Sequence, residues 1–304
     1  MTTVVAAIDC GTNSVRLLVA EATSDGLRDL HREMRIVRLG QGVDRTGRLA
    51  PEALARSEAA LADYAAVIGR LDAARVRLVA TSATRDAANR GEFAALVRDT
   101  LGVEPEVVSG RDEAALSYSG AASVLGPDTG PLLVADIGGG STELVLGGDG
   151  PLHSHSMDVG AVRMTERHLG TGPLTHGEVE AVESDVRTAL DHARVDVPFD
   201  DDATLVGVAG TVTTVAALAL GLDRYDPDVL HGARLSRERI DEVTDRLVRS
   251  TPADREAMTV IHPGRRDVIA GGALVLRTLV DELGFDALTV SEHDILDGIA
   301  LSIT

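Results

Sequence analysis

Residues 133–146 constrain the fold of this chain more than any other stretch. They form an apolar strand pattern closed by Asp136, then three consecutive glycines, the hydroxyl residues Ser141 and Thr142, and a second apolar run. Glycines let backbone amides approach a ligand closely, and a concave set of amides suits phosphate oxygens. An acid beside them suits Mg²⁺, which takes hard oxygen ligands and is commonly shared with phosphates. The stretch therefore predicts a phosphate-binding hairpin with an adjoining metal site.

A second copy of this pattern begins at residue 9, so the hairpin is part of a repeat. The equivalent positions are Asp9 and Asp136, Gly11 and Gly138, Ser14 and Ser141, and Leu17 and Leu144. Apolar residues precede the acid in both copies. Internal repeats indicate duplicated structural units. The chain is therefore predicted to contain two related domains with one phosphate hairpin each.

Composition disfavours several classes of function. The chain has 304 residues, enough for two domains of ordinary size. A net charge of -19 and an aromatic content of 2% disfavour binding to nucleic acids, anionic membranes and stacked bases. Cys10 is the only cysteine, which fits a reducing compartment, and no secretory leader pattern or apolar run of about 20 residues occurs. We expect a cytoplasmic protein that binds neither nucleic acid nor membrane.

Strand patterns alternate with helix patterns along the chain, which predicts an α/β fold. Strands are expected in hairpins at 3–22 and 132–148 and at 30–39, 75–80, 107–108, 204–209 and 287–290. Helices are expected at 51–68, 92–101, 110–124, 161–169, 175–193, 210–220, 236–249, 268–283 and 293–302. A glycine and proline cluster at 126–131 predicts a domain boundary. The predicted domains are 1–124 and 125–304, with the option that the last helix packs back on the first domain.

Four further segments combine small, hydroxyl and charged residues at predicted element ends. Residues 80–85 deliver hydroxyls and one arginine, whose fork suits phosphate. Residues 109–114 open a helix with two acids, and 207–214 form a small-residue turn before a helix, where amides would point at an anion. Residues 262–267 contain two adjacent arginines. Together these segments predict further contacts to a polyanion.

Taken in order, the segments resemble the exopolyphosphatase and guanosine pentaphosphate phosphohydrolase family. The matching stretches are AIDCGTNSVRLLVA, VRLGQGVDRTGRL, ATSATRDAAN, VVSGRDEAALSYSGA, LVADIGGGSTELVLG, DVGAVRMTE, VAGTVTT and GRRDVIAGGA. The resemblance implies two ribonuclease-H-like domains of the actin-like ATPase superfamily, with the active site in the interdomain cleft. It also implies a homodimer. Long members carry an additional C-terminal helical module, so this chain resembles a short member.

The resemblance implies removal of a terminal phosphate by water with Mg²⁺ (or Mn²⁺). Glu113, in the SG-x-x-E-A segment, occupies the position of the family's general base. Arg85 is the second predicted catalytic residue. Phosphoryl transfer needs mainly positioning and charge neutralisation, so a carboxylate that orients water fits the chemistry. Asp136 and Glu143 match the metal-associated acids, with Asp9 as the symmetric candidate. Phosphate contacts are expected from Gly11, Thr12, Asn13, Ser14, Gly138, Gly139, Gly140, Ser141, Gly210, Thr211, Arg38, Arg45 and Arg266.

The residues leave several functions open. Hydrolysis of inorganic polyphosphate is favoured over hydrolysis of guanosine pentaphosphate because the motifs contact phosphate and metal and no aromatic base pocket is evident. A kinase or a nucleotide-binding regulatory switch of the same superfamily is a remoter alternative, since residues 207–214 resemble an adenosine-type turn. Glu113 favours water as the nucleophile. Intact acids in both hairpins count against a pseudoenzyme that acts as an interaction module.

Overall fold

A computed structural model describes residues 3–24, 26–124, 130–148, 152–199 and 202–304. The chain divides into unit 1, which is Met1–Val124 with His293–Thr304, and unit 2, which is Leu125–Glu292. Residues 293–304 therefore belong to unit 1. The sequence assigned them to the second domain, with the option that the last helix packs back on the first. Most of the predicted boundary cluster, at 126–129, lies outside the described residues.

In unit 1, the described residues form a five-stranded sheet of order β3-β2-β1-β4-β5. The strands are β1 (Val4–Cys10), β2 (Ser14–Thr23), β3 (Gly26–Ile36), β4 (Arg75–Ala80) and β5 (Glu106–Val107). The helices up to residue 124 are α1 (Val43–Thr46), α2 (Pro51–Arg70), α3 (Ser82–Asp86), α4 (Arg90–Leu101) and α5 (Gly110–Ala122). β2 runs antiparallel to β1 and β3, whereas β4 runs parallel to β1 and β5. This order confirms the predicted ribonuclease-H-like topology.

In unit 2, the described residues form a six-stranded sheet of order β10-β11-β9-β6-β7-β8. The strands are β6 (Leu132–Ile137), β7 (Thr142–Gly147), β8 (His153–Met157), β9 (Thr204–Val208), β10 (Arg234–Ser236) and β11 (Ala287–Val290). The helices are α6 (Ala161–His168), α7 (His176–Asp196), α8 (Ala209–Ala219), α9 (Pro227–Leu230), α10 (Arg237–Val248), α11 (Pro252–Ala257) and α12 (Ile269–Leu283). Strands β8, β7, β6, β9 and β11 repeat the order of unit 1, and β10 extends the edge. The predicted duplication is therefore confirmed.

Burial explains why these segments form these elements. β6 and β7 are buried along their whole length, as expected for strands covered on both faces. α2 starts with Pro51 in its first turn and buries Leu61, Tyr64 and Ile68 at helical spacing. Tyr64 also donates a hydrogen bond to Val15 O at 3.0 Å. Among the described residues, no helix is both long and apolar enough to cross a membrane.

The strand predicted at 30–39 is shifted. β3 begins at Gly26 and ends at Ile36. Its predicted end is lost because the Val37 and Arg38 amides bond to Asn13 O instead, at 3.1 and 2.9 Å. The loop predicted at 40–49 contains the single turn α1. The short elements α3, α9, α11 and β10 were not predicted, since pieces of three to six residues carry little periodicity.

The C-terminal helix α13 (Ile295–Leu301) packs closely on α5. A Cβ added at Gly120 would lie 1.8 Å from Asp294 O, and one at Gly298 would lie 1.9 Å from Leu116 O. Only glycine allows the two backbones to approach so closely. Asp294 caps α13 and accepts a hydrogen bond from the Leu296 amide at 3.0 Å. The start of α13 is thereby fixed against the helix that carries Glu113.

Candidate active site

The glycine loop of unit 2 is held against the start of α6 by its carbonyl groups. The bonds are Ala161 N to Gly138 O (3.0 Å), Val162 N to Gly139 O (2.8 Å) and Arg163 Nε to Gly140 O (2.6 Å). In a trans peptide the N–H points opposite to the C=O, so the amides of residues 139–141 point away from α6. In the described part of the chain, these three amides find no acceptor. Three consecutive amides turned to one side form an anion-binding nest.

Gly160 makes this arrangement possible. A Cβ at this position would lie 2.6 Å from Gly139 O, so any other residue would push the loop from α6. Just before Gly160, Val159 O accepts a hydrogen bond from Thr142 Oγ1 at 2.7 Å. The loop is therefore fixed by contacts that are remote in sequence.

The two predicted metal acids lie directly opposite each other on neighbouring strands. Asp136 on β6 pairs with Glu143 on β7, and both are buried. Ser156 on β8 pairs with Glu143 from the other side, and its hydroxyl donates a hydrogen bond to Glu143 Oε1 at 2.6 Å. Opposed buried carboxylates repel each other, and a divalent cation would offset the repulsion. Two hard carboxylates beside phosphate-binding amides fit Mg²⁺, which is commonly held by one or two carboxylates and substrate phosphates.

Within the described residues, no group of three or more His, Cys, Asp or Glu side chains could hold a metal. A metal at this hairpin would therefore depend on Asp136 and Glu143, with water or phosphate oxygens completing its shell.

The hairpin of unit 1 has the same construction. The bonds are Gly40 N to Thr12 O (2.8 Å), and Val37 N and Arg38 N to Asn13 O (3.1 and 2.9 Å). The loop carbonyls again bond to the segment after the third strand, so the amides of residues 13 and 14 are turned away from it. Gly40 plays the role of Gly160, because a Cβ there would lie 2.3 Å from Thr12 Cγ2.

Asp9 is the second-last residue of β1, next to this loop, and is held by Arg16. Arg16 Nε and Nη2 lie 2.9 and 2.7 Å from Asp9 Oδ2, while Asp9 Oδ1 is buried and has no hydrogen-bond partner among the described residues. Burial raises the pKa of Asp9, and the Arg16 charge opposes the rise. Burial and the Asp9 charge raise the pKa of Cys10 well above its usual range. Cys10 is thus a protonated thiol in the core of unit 1.

Glu113 lies in the first turn of α5 and is only 6% exposed. Arg85 Nη1 donates to Glu113 Oε2 at 2.8 Å and to Val108 O at 3.3 Å. Arg85 belongs to α3, whose Ser82 hydroxyl lies 2.9 Å from Thr12 Oγ1. The short helix α3 therefore connects the first glycine loop to Glu113. These two predicted catalytic residues are in contact.

The turn at Gly210 is occupied by Arg265, which belongs to the 262–267 segment but was not among the individually predicted phosphate contacts. A Cβ at Gly210 would lie 1.7 Å from Arg265 Nη1, so the guanidinium lies against the glycine backbone. Ala209, just before it, has a φ of 68°, a strained value that is frequent at functional sites. Arg266, a predicted phosphate contact, lies 3.6 Å from Glu256. The glycine at 210 thus provides room for Arg265.

The other predicted positions are distributed as follows. Thr211 is buried, and a Cβ at Gly272 would lie 2.7 Å from its Oγ1. Arg38 is half-buried, with a φ of 52°. Arg45 is exposed on α1.

Comparison with known proteins places this geometry in a family. The sequence profile of the Ppx/GppA phosphatase family matches residues 18–304. Exopolyphosphatase 2 of Mycobacterium tuberculosis is 50% identical over 98% of both chains. A crystal structure of an exopolyphosphatase-like protein is 45% identical over 99% of this chain and 97% of that one, with a TM-score of 0.96. The Ppx/GppA family member of Aquifex aeolicus is 31% identical over 99% and 97%, with a TM-score of 0.83.

Proposed function

Because the chain belongs to the Ppx/GppA phosphatase family, we propose that it is an exopolyphosphatase that hydrolyses the terminal phosphate of inorganic polyphosphate. The observation that carries the proposal is the glycine loop of unit 2. Its three amides at 139–141 face away from α6 without an acceptor in the described residues, beside two buried carboxylates. Amides and acids in this arrangement suit phosphate and a divalent ion. The name of the Mycobacterium tuberculosis relative agrees with this substrate.

In the proposed reaction, Glu113 orients a water molecule and accepts its proton. The water oxygen bonds to the terminal phosphorus, the bridging P–O bond breaks, and its electron pair stays on the shortened chain. Arg85 holds the Glu113 carboxylate through the 2.8 Å contact. Asp136 and Glu143 would hold Mg²⁺, or Mn²⁺, which would neutralise phosphate charge. The protein therefore contributes positioning and electrostatics, which is most of what phosphoryl transfer requires.

The remaining predicted residues are assigned to binding. The loop amides and hydroxyls at 11–14 and 138–141 bind phosphate groups, and Thr211 and Arg265 add contacts near the turn at Gly210. Arg38, Arg45 and Arg266 are assigned to the rest of the polyanion. We also propose that the protein is a homodimer and that it is located in the cytoplasm. Light scattering after size-exclusion chromatography tests the oligomeric state, and fractionation of the native host tests the localisation.

The substrate is tested by measuring phosphate release from polyphosphate, guanosine pentaphosphate and ATP with Mg²⁺. We expect release from polyphosphate with a kcat/KM at least about tenfold above that for the pentaphosphate, a difference of about 1.4 kcal/mol. Preference for the pentaphosphate would instead favour the nucleotide phosphohydrolase. ATP that stays bound and intact, with no release from any substrate, would favour a regulatory switch.

Gly210→Ala and Arg265→Ala are expected to have the same effect. The added Cβ displaces the Arg265 guanidinium, so either change removes one charge-assisted contact to phosphate, worth about 1.5–3 kcal/mol. We expect the KM for polyphosphate to rise about tenfold or more in each variant, and the double variant to match the worse single variant. Effects that add in the double variant would show that the two residues act independently. Gly172→Ala is the control, since a Cβ there would meet no atom within 4 Å in the part of the chain that the structure describes.

A further inference from the structure

The two hairpins differ at the residue that pairs across the strands with the first acid of each hairpin. In unit 2, Asp136 pairs across the strands with Glu143. In unit 1, Asp9 pairs in the same way with Arg16. Both second residues follow the loop serine by two positions, so Arg16 stands in unit 1 where Glu143 stands in unit 2. A cross-strand pair of like charges in one unit is thus a pair of opposite charges in the other.

The guanidinium of Arg16 lies between two buried carboxylates. It contacts Asp9 Oδ2 at 2.7 and 2.9 Å, and its Nη1 forms an ion pair with Asp294. Asp9 is 4% exposed and Asp294 is 3% exposed. Removing the guanidinium would leave two buried carboxylates uncompensated, which is strongly unfavourable. Arg16 therefore supplies positive charge to Asp9 and Asp294 from within unit 1.

The scaffold around Asp294 is rigid. Asp294 caps α13, and the close contacts at Gly120 and Gly298 fix α13 against α5. Asp297, one turn into α13, is in turn paired with Arg32 and His293. The position of Arg16 is therefore set by a helix start that has little freedom to move.

We infer that Arg16 is a built-in counterion and positioning residue of unit 1, and that Asp9 is consequently not a ligand of the divalent metal. The metal requirement then resides in Asp136 and Glu143. This inference rests on the metal site of the proposed function, and it revises the sequence-based assignment of Asp9 as the symmetric metal acid. The remaining oxygen of Asp9, Oδ1, is left to accept a hydrogen bond from water.

The first test measures Mn²⁺ binding to the substrate-free protein by electron paramagnetic resonance. We expect about one site in the wild type, its loss in Asp136→Asn, and an Asp9→Asn variant whose Mn²⁺ dissociation constant stays within about threefold of the wild type. An increase of about tenfold or more in Asp9→Asn would make Asp9 a ligand and overturn the inference. Since no substrate is used, this outcome is separate from whether the protein hydrolyses polyphosphate.

The second test compares Arg16→Gln with Arg16→Lys. Without the guanidinium, the carboxylates of Asp9 and Asp294 repel each other. Arg16→Gln should therefore bind a second Mn²⁺, and added Mg²⁺ should raise the Tm of this variant more than it raises the Tm of the wild type. Arg16→Lys should restore a single site, which a purely steric role for the side chain would not do. A single site and a wild-type Mg²⁺ response in Arg16→Gln would contradict the counterion role. If Arg16→Gln does not fold, the double variant Asp9→Asn/Arg16→Gln replaces it, because it also removes the Asp9 charge. We expect this double variant to fold and to bind one Mn²⁺. Two Mn²⁺ sites in the double variant would also contradict the counterion role.

Discussion

Glu113→Gln is expected to lower kcat for polyphosphate by about 10²–10⁴-fold while KM changes little. The amide keeps the shape of the carboxylate and can still contact Arg85, but it cannot accept the proton of the attacking water. General-base catalysis typically contributes about this factor. Steady-state phosphate release at saturating Mg²⁺ measures both constants.

Asp112→Asn is the matched control for this prediction. Asp112 precedes Glu113 in the same turn, but it is exposed and bonds to the Ser109 hydroxyl at 2.7 Å. We expect its kcat to stay within about twofold of the wild type, since an exposed surface change usually has a small effect. A Glu113→Gln enzyme within a few-fold of the wild type would remove Glu113 from the role of base.

Asp136→Asn is expected to have the second largest effect, on metal dependence and rate together. Asp136 is 6% exposed and lies opposite Glu143, so its replacement removes one of two buried carboxylates available to a divalent ion. We expect the Mg²⁺ concentration for half-maximal activity to rise at least about tenfold. At saturating Mg²⁺, kcat should fall about 10²–10³-fold, since a metal provides several kcal/mol of charge stabilisation.

A surface acid provides the control for the metal titration. Asp191 on α7 has a side chain that is 80% exposed, so Asp191→Asn changes the net charge equally without touching the hairpin. Its Mg²⁺ titration should overlay that of the wild type. A wild-type titration in Asp136→Asn would place the metal elsewhere.

The hairpins and the Glu113 helix could be predicted because their signals are local. An apolar strand, an acid and a run of small residues determine the first hairpin half, and Ser109 followed by acids determines a helix start. The repeat then predicted the second unit, and the sheet orders confirm it. Local patterns sufficed here because each element is long enough to show its own periodicity.

The contacts that hold the site could not be predicted in the same way. A Cβ at Gly160 would lie within 3 Å of the Gly139 backbone, and one at Gly40 within 3 Å of the Thr12 side chain. Nothing in the sequence around either glycine signals this. Arg265 and Arg266 are adjacent, but the turn at 263–265 directs one to Gly210 and the other to Glu256. A sequence pattern cannot choose between neighbouring side chains that a turn sends in different directions.

The pairing of Arg16 with Asp9 could have been predicted from the sequence. Arg16 and Glu143 occupy the same position of the repeat, and antiparallel pairing in a hairpin sets each opposite its acid. Pairing the repeat residue by residue shows that the charge reverses there. What the sequence does not show is Asp294, which reaches Arg16 from the other end of the chain.

The most direct test of the proposed mechanism is hydrolysis of polyphosphate in ¹⁸O-labelled water, with mass analysis of the products. Attack of water on the terminal phosphorus predicts one labelled oxygen in each released orthophosphate and no label in the shortened chain. Label in the remaining chain would mean attack on the penultimate phosphorus. Transfer of unlabelled phosphate to an acceptor would mean a kinase, and either result would contradict the account.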